Sequence, residues 1–118
     1  MARVRANLRR SSTDTRAAAS RVQSGDLTLD LLGRRAMLAG DEIKLTHREF
    51  DLLAELMRNQ GAVLSRDLLL TRVWGYDYGG DSHTVDVHVR WLREKVEADP
   101  STPVRITTVR GVGYRFEG

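Results

Sequence analysis

Asp81-Ser82-His83-Thr84-Val85-Asp86-Val87-His88-Val89-Arg90-Trp91-Leu92-Arg93-Glu94-Lys95-Val96 is the stretch that decides the fold. Laid on a helix at about 100° per residue, Val85, Val89, Leu92 and Val96 fall on one stripe, the spacing of a buried face. The opposite side carries His83, Val87, Arg90, Trp91 and Glu94. A valine, a tryptophan and an arginine together are unusual on a solvated face. An apolar stripe behind and a basic, aromatic and methyl-bearing face in front suit a helix that rests on a core and reads a DNA groove. Taken alone, the segment is better read as an ordinary amphipathic helix with a few exposed apolar residues. Its neighbours change that.

Upstream, Gly75-Tyr76-Asp77-Tyr78-Gly79-Gly80 forms a glycine- and tyrosine-rich loop, and Asp81/Ser82 stand where the helix needs a cap. A second helix precedes the loop. Ser65 is its N-cap, Asp67 favours its first turn, and Leu68, Leu69, Val73 and Trp74 face inward. Before that, Thr46-His47-Arg48-Glu49 is a capping box that opens a first helix, with Phe50, Leu53, Ala54 and Met57 as its buried stripe. Helix, loop and a helix with a mixed face form a helix-turn-helix arrangement with an unusually long loop. Long loops with exposed aromatics in small domains tend to be functional. His47 is read as exposed and inert.

Downstream, Ala98-Asp99-Pro100 stops the decisive helix. Two β-rich runs, Val104 to Val109 and Tyr114 to Glu117, flank the turn Arg110-Gly111-Val112-Gly113 and predict a C-terminal hairpin. Alternation places Ile106, Thr108 and Arg110 on one side of its first strand, and the glycines leave Arg110 free to reach a narrow groove. A plain hairpin with a solvent-facing arginine is the competing reading. At the other end, Val22–Ser24, Leu27–Leu31, Arg35–Leu38 and Glu42–Leu45 read as four short strands of an antiparallel sheet that serves as scaffold. The expected fold is α+β: a four-stranded N-terminal sheet, three helices and a C-terminal β-hairpin wing, a winged helix-turn-helix over residues 22–118.

Residues 1–21 differ in character. They hold six arginines and one acid, against 13 Lys+Arg and 15 Asp+Glu in residues 22–118. The high pI therefore belongs to the N-terminal segment, and the folded part is slightly acidic. Only the local placement of arginines, not bulk charge, can support nucleic-acid binding. Residues 1–10 read as the end of a basic amphipathic helix with Val4 and Leu8 on one face, too short to be stable alone. Residues 11–20 read as a disordered linker.

The chain has no cysteine, so no disulfide framework or thiolate zinc site is expected. No run approaches a membrane span and no signal-peptide core is present, so a soluble protein of the cytoplasm is expected. Nor does the sequence suggest an enzyme or a cofactor. His83 and His88 are off the i, i+4 spacing of a helical metal pair. Ser65 has no visible base, and Gly111-x-Gly113 lacks the third glycine of a dinucleotide site.

Five segments carry a resemblance to a known family. They are Leu45-Thr46-x-x-Glu49-Phe50-x-Leu52-Leu53, Val63-Leu64-Ser65-Arg66, Val73-Trp74-Gly75, Thr84-Val85-Asp86-Val87-His88-Val89-x-x-Leu92-Arg93-x-Lys95 and Thr108-Val109-Arg110-Gly111-x-Gly113-Tyr114. In order and spacing they resemble the effector domain of OmpR/PhoB-type response regulators. The basic start resembles the last helix of the receiver domain that precedes this effector, which implies the C-terminal part of a longer two-domain protein.

The resemblance implies transcriptional regulation through direct-repeat promoter DNA, bound by two copies head to tail. It also implies a sensor histidine kinase acting through the receiver domain, and RNA polymerase at the loop of Tyr76, Asp77 and Tyr78. By position it gives Thr84 and the helix start a phosphate, and Val87 a thymine methyl or sugar. Arg90 and Arg93 receive phosphate or base edges, and Arg110 the minor groove. Thr108 and Tyr114 buttress the backbone, and Trp74 and His83 are further phosphate candidates. Trp91 departs from the pattern, since some relatives carry a base-bonding arginine there. An indole offers one donor and cannot bond guanine bidentately. It either packs on thymine methyls or sugars, or folds back on the Tyr76–Tyr78 loop. The alternative function is a winged-helix protein-interaction module that uses the Val87/Trp91 face and the aromatic loop.

Overall fold

The computed structural model describes residues 20–118. The helical end expected over residues 1–10, and all but the last residue of the linker after it, lie outside the described residues.

Strands β1 (Arg21–Ser24), β2 (Leu27–Asp30), β3 (Arg35–Leu38) and β4 (Asp41–Ile43) form an antiparallel sheet in sequential order. Alternation works as the pattern requires: Leu27, Leu29 and Ala36 are buried, while Thr28 and Asp30 between them remain partly exposed. The fourth strand runs one residue earlier than expected and ends at Ile43, because Lys44 and Leu45 lead into the cap of the next helix. That helix, α1 (His47–Arg58), opens with the expected capping box: Glu49 N donates to Thr46 Oγ1 at 3.2 Å, and Thr46 N donates to Glu49 Oε1 at 2.9 Å.

In the sequence Val63-Leu64 reads as a brief extended link between the first two helices, but it is more than that. Val63–Ser65 is strand β5, paired antiparallel to the last strand of the chain. Ser65 then caps α2 (Arg66–Leu69), accepting from Leu68 N at 3.0 Å. The expected single helix through Trp74 changes pitch at Leu70: residues Leu70–Trp74 form a wider π-helical turn, in which Gly75 N bonds the Leu70 carbonyl five residues back at 3.2 Å. The extra residue in the turn leaves Val73 in the core and puts Trp74 at its edge.

Helix α3 (His83–Val96) buries Val85, Val89, Leu92 and Val96, the stripe read from the sequence. Strands β6 (Ile106–Val109) and β7 (Gly113–Phe116) form the wing, and with β5 they make a three-stranded sheet in the order β5-β7-β6. Two glycines shape it. Gly111 turns the tip at φ 77°, and a Cβ on Gly113 would lie 2.0 Å from the Leu64 carbonyl oxygen, so β5 and β7 meet closely only because that residue is glycine. Thr108 shares a side with the buried Ile106 yet is exposed, because the wing leaves the core at that point.

The core is one cluster. Phe50, Leu53 and Leu56 of α1 and the α3 stripe meet Leu27 and Leu29 from the first sheet and Ile106, Tyr114 and Phe116 from the second. Each such leucine, truncated to alanine, costs about 2–5 kcal/mol. Among the described residues no helix is long and apolar enough to cross a membrane.

Candidate nucleic-acid interface

With the apolar stripe of α3 turned inward, His83, Val87, Arg90 and Glu94 form the outward crest of the helix. Its flanks differ. Asp86 and Arg93 lie toward the wing, whereas Thr84, His88 and Trp91 lie toward Trp74 at the end of the π-helical turn.

The wing flank is a set of locks. Arg93 donates from Nε and Nη2 to the Ile106 carbonyl at 3.1 and 2.9 Å, and from Nη2 to Thr108 Oγ1 at 2.8 Å. Its guanidinium also lies over the Tyr114 ring, 5.6 Å from the centroid. The sequence expectation that Arg93 reaches phosphate or base edges meets a physical objection: most of its donor fork already holds the wing to the helix. Asp86 is a second lock that sequence reasoning missed. Its Oδ1 accepts from Arg66 Nε at 2.8 Å and from the Tyr114 hydroxyl at 2.5 Å, joining α2, α3 and β7. Burial, reinforced by the hydrogen bond to Asp86, pushes the Tyr114 hydroxyl above its ordinary range, so it stays a donor. Tyr114 is 5% exposed and so buttresses from behind. A third lock closes the base of the wing. Glu97, just beyond α3, accepts from the backbone N–H groups of Val104, Arg105 and Ile106 at 2.8–3.1 Å.

The loop flank is aromatic. His88 Nδ1 lies 2.7 Å from the Thr84 carbonyl, which can only accept, so the proton sits on Nδ1. Trp74 and Trp91 each meet the His88 ring edge-on with centroids 4.9 Å away, and Tyr78 lies 6.3 Å from Trp74. Trp91 therefore packs on His88 rather than on the loop residues Tyr76–Tyr78. Arg48 ties this flank to α1, donating to the Val73 carbonyl at 2.7 Å with its guanidinium 5.8 Å from the Trp74 ring. Tyr76 is 92% exposed, and Asp77 beside it is exposed too.

The start of α3 is less open to an anion than its sequence implies. Asp81, not the side chain of Ser82, caps it: His83 N donates to Asp81 Oδ1 at 3.1 Å. Thr84 N and Val85 N donate to the carbonyls of Asp81 and Ser82. With these amides taken, an anion at this end is left with the half-buried Thr84 hydroxyl and the exposed His83 ring, which lies 3.6 Å from Asp86.

Charge pairing then sorts the arginines. Arg66, Arg72, Arg105 and Arg115 are paired with carboxylates, and Arg48 and Arg93 with backbone carbonyls. Arg90 on α3 and Arg110 at the wing tip are exposed and have no side-chain hydrogen bond or ion pair among the described residues. Unpaired cations on two elements locked together are a ready electrostatic contact for a phosphate backbone.

The family described as "Transcriptional regulatory protein, C terminal" matches residues 40–116, which take in α1, the aromatic loop, α3 and the wing. The chain belongs to that family. The sensory transduction protein RegX3 of Mycobacterium tuberculosis is 50% identical over 119 residues, covering 100% of this chain and 52% of that protein. The response regulator DrrB of Thermotoga maritima, an OmpR/PhoB homologue, superposes with a TM-score of 0.78 at 35% identity, over 84% of this chain and 45% of that one. The DNA-binding domain of RstA from Klebsiella pneumoniae, solved in complex with the RstA box, gives a TM-score of 0.75 at 38% identity, over 82% of this chain and 96% of that one. The chain spans about half the length of the curated relatives it matches.

Proposed function

We propose that the chain binds double-stranded promoter DNA in a sequence-specific way and regulates transcription as the output domain of a two-component response regulator. α3 enters the major groove with Val87 and Trp91 against base edges and Arg90 on phosphate. The wing sets Arg110 in the adjoining minor groove. Thr84, His83 and Trp74 line the approach to a phosphate at the other flank. Arg93, Thr108 and Tyr114 serve by holding helix and wing in register. The observation that carries this reading is that Arg90 and Arg110, which have no side-chain partner among the described residues, stand on elements that Arg93 and Asp86 fasten together. The RstA domain, a close structural relative, was solved on its own DNA box, which supports DNA binding by this chain.

On this reading two copies bind direct repeats head to tail. The exposed loop of Tyr76, Asp77 and Tyr78 meets RNA polymerase, and a sensor histidine kinase acts through a receiver domain. The activity is binding, not catalysis. Selection from a library of random duplexes at moderate salt tests it: an enriched motif is expected, and a bound pool without one overturns the reading.

A further inference from the structure

We propose that Trp91 reads the 5-methyl group of a thymine, and that His88 is the residue that positions its indole to do so. This rests on the DNA-binding reading above and adds the base that the helix selects.

Trp91 is 43% exposed, yet its ring has a fixed neighbour. It meets His88 edge-on at 62°, with ring centroids 4.9 Å apart. His88 is pinned in turn, by its hydrogen bond of 2.7 Å to the Thr84 carbonyl and by Trp74, which meets its ring at 76°. Trp91 is thus the outermost ring of a row running Tyr78, Trp74, His88, Trp91, and one helical turn from Val87.

The chemistry of such a pair is narrow. In the major groove the thymine methyl is the one apolar group on a base edge, while guanine presents two acceptors, N7 and O6. An indole has a single donor and no acceptor. Against guanine, the rings of Trp91 and the methyls of Val87 would strip water from two acceptors and replace at most one hydrogen bond. Against thymine they bury a methyl group, and the one acceptor beside it, O4, can take the single indole N–H.

The test replaces each thymine of a selected duplex, one at a time, by uracil, which deletes only that methyl. One position is expected to weaken binding by about fourfold, the worth of one buried methyl. Trp91→Ala is expected to bind the uracil and thymine duplexes alike. His88→Ala, checked for folding by thermal melting, is expected to lose most of the discrimination while Trp91 is still present. In Trp74→Phe, where Trp91 is the remaining tryptophan, time-resolved anisotropy is expected to show a held indole, and His88→Ala in that background should free it.

Uracil that is neutral at every position in the wild type overturns the proposal. So does an unchanged uracil penalty in Trp91→Ala. An unchanged penalty in His88→Ala, or a freely rotating Trp91 with His88 intact, overturns the positioning role. A chain that enriches no duplex at all fails the DNA-binding reading instead, and the two failures are therefore distinct.

Discussion

The guanidinium of Arg93 spans the gap between α3 and the wing, bonding the Ile106 carbonyl twice, at 3.1 and 2.9 Å, and the Thr108 hydroxyl once, at 2.8 Å. The helix and the hairpin, which meet DNA together on the proposed reading, are thereby fixed in one geometry. Arg93→Ala is expected to cost about 1.5–3 kcal/mol of stability, the range for a hydrogen-bonded charge, and urea denaturation measures it. Its effect on binding should be equal on all duplexes, since the residue sets the wing's position and reads no base. A loss confined to particular bases would show that Arg93 leaves the wing to contact DNA.

Glu97 makes a comparable lock from one carboxylate. It is 8% exposed and accepts the N–H groups of three consecutive residues, Val104, Arg105 and Ile106. In Glu97→Ala those amides lose their partner where the strand begins, and a destabilisation of about 3 kcal/mol is expected. Glu97→Gln, which keeps an acceptor but drops the charge, should fall between. Amide hydrogen exchange at these three residues should accelerate in both variants before it does in α1. Unchanged exchange there would mean the wing is held from β5 and β7 alone.

These two locks mark the boundary of what the sequence discloses. The α3 stripe, the Thr46–Glu49 capping box and the four short strands are local, set by periodicity and by residues three apart, and they were legible. Asp86 draws no reading of its own in the sequence, because nothing near it announces Arg66, twenty positions before, or Tyr114, twenty-eight after. β5 likewise looked like a link, since its partner β7 comes some fifty residues later. The π-helical turn before Gly75 has no signature in the residues themselves. At the interface, Arg90 and Arg110 stood out as arginines on the right elements, but which arginines are free and which are fastened down depends on carboxylates and carbonyls from elsewhere in the chain. The row from Trp74 through His88 to Trp91 has a partial signal, an aromatic three residues after a histidine on one helix flank, although the sequence offers the Tyr76–Tyr78 loop as a rival neighbour for Trp91.

A pH dependence follows from Glu49. Burial pushes its carboxyl up, but the Lys95 ammonium at 2.5 Å and the backbone and hydroxyl of Thr46 pull it down further, so that it titrates below its ordinary value of 4.5. A carboxylate depressed on folding adds stability that is complete above about pH 4.5 and is lost as the pH falls through the depressed value. In Lys95→Met, burial is opposed by Thr46 alone and the carboxyl rises. The acid-unfolding midpoint is then expected to move to higher pH, with stability near pH 7 also reduced. Acid titration followed by circular dichroism checks this, and an unmoved midpoint would mean that Lys95 contributes nothing to the buried charge.

The last prediction separates affinity from base choice. Arg90 and Arg110 are exposed and have no side-chain partner among the described residues, so removing either should leave folding unchanged within about 0.5 kcal/mol, the usual scatter for exposed sites. Each contact with a phosphate releases counterions, so Arg90→Ala should flatten the dependence of log affinity on log salt by about 0.9. Arg110→Ala should weaken binding by about 1–3 kcal/mol, broadly across sequences, if it makes one charge-assisted groove contact. Val87 has no charge to release. Val87→Ala should leave the salt slope where it was and change which bases are preferred at one position. Binding isotherms at several salt concentrations, on selected and scrambled duplexes, measure all three. If Val87→Ala weakens every duplex equally, Val87 only packs; if neither arginine changes the slope, α3 and the wing do not lie against the phosphates.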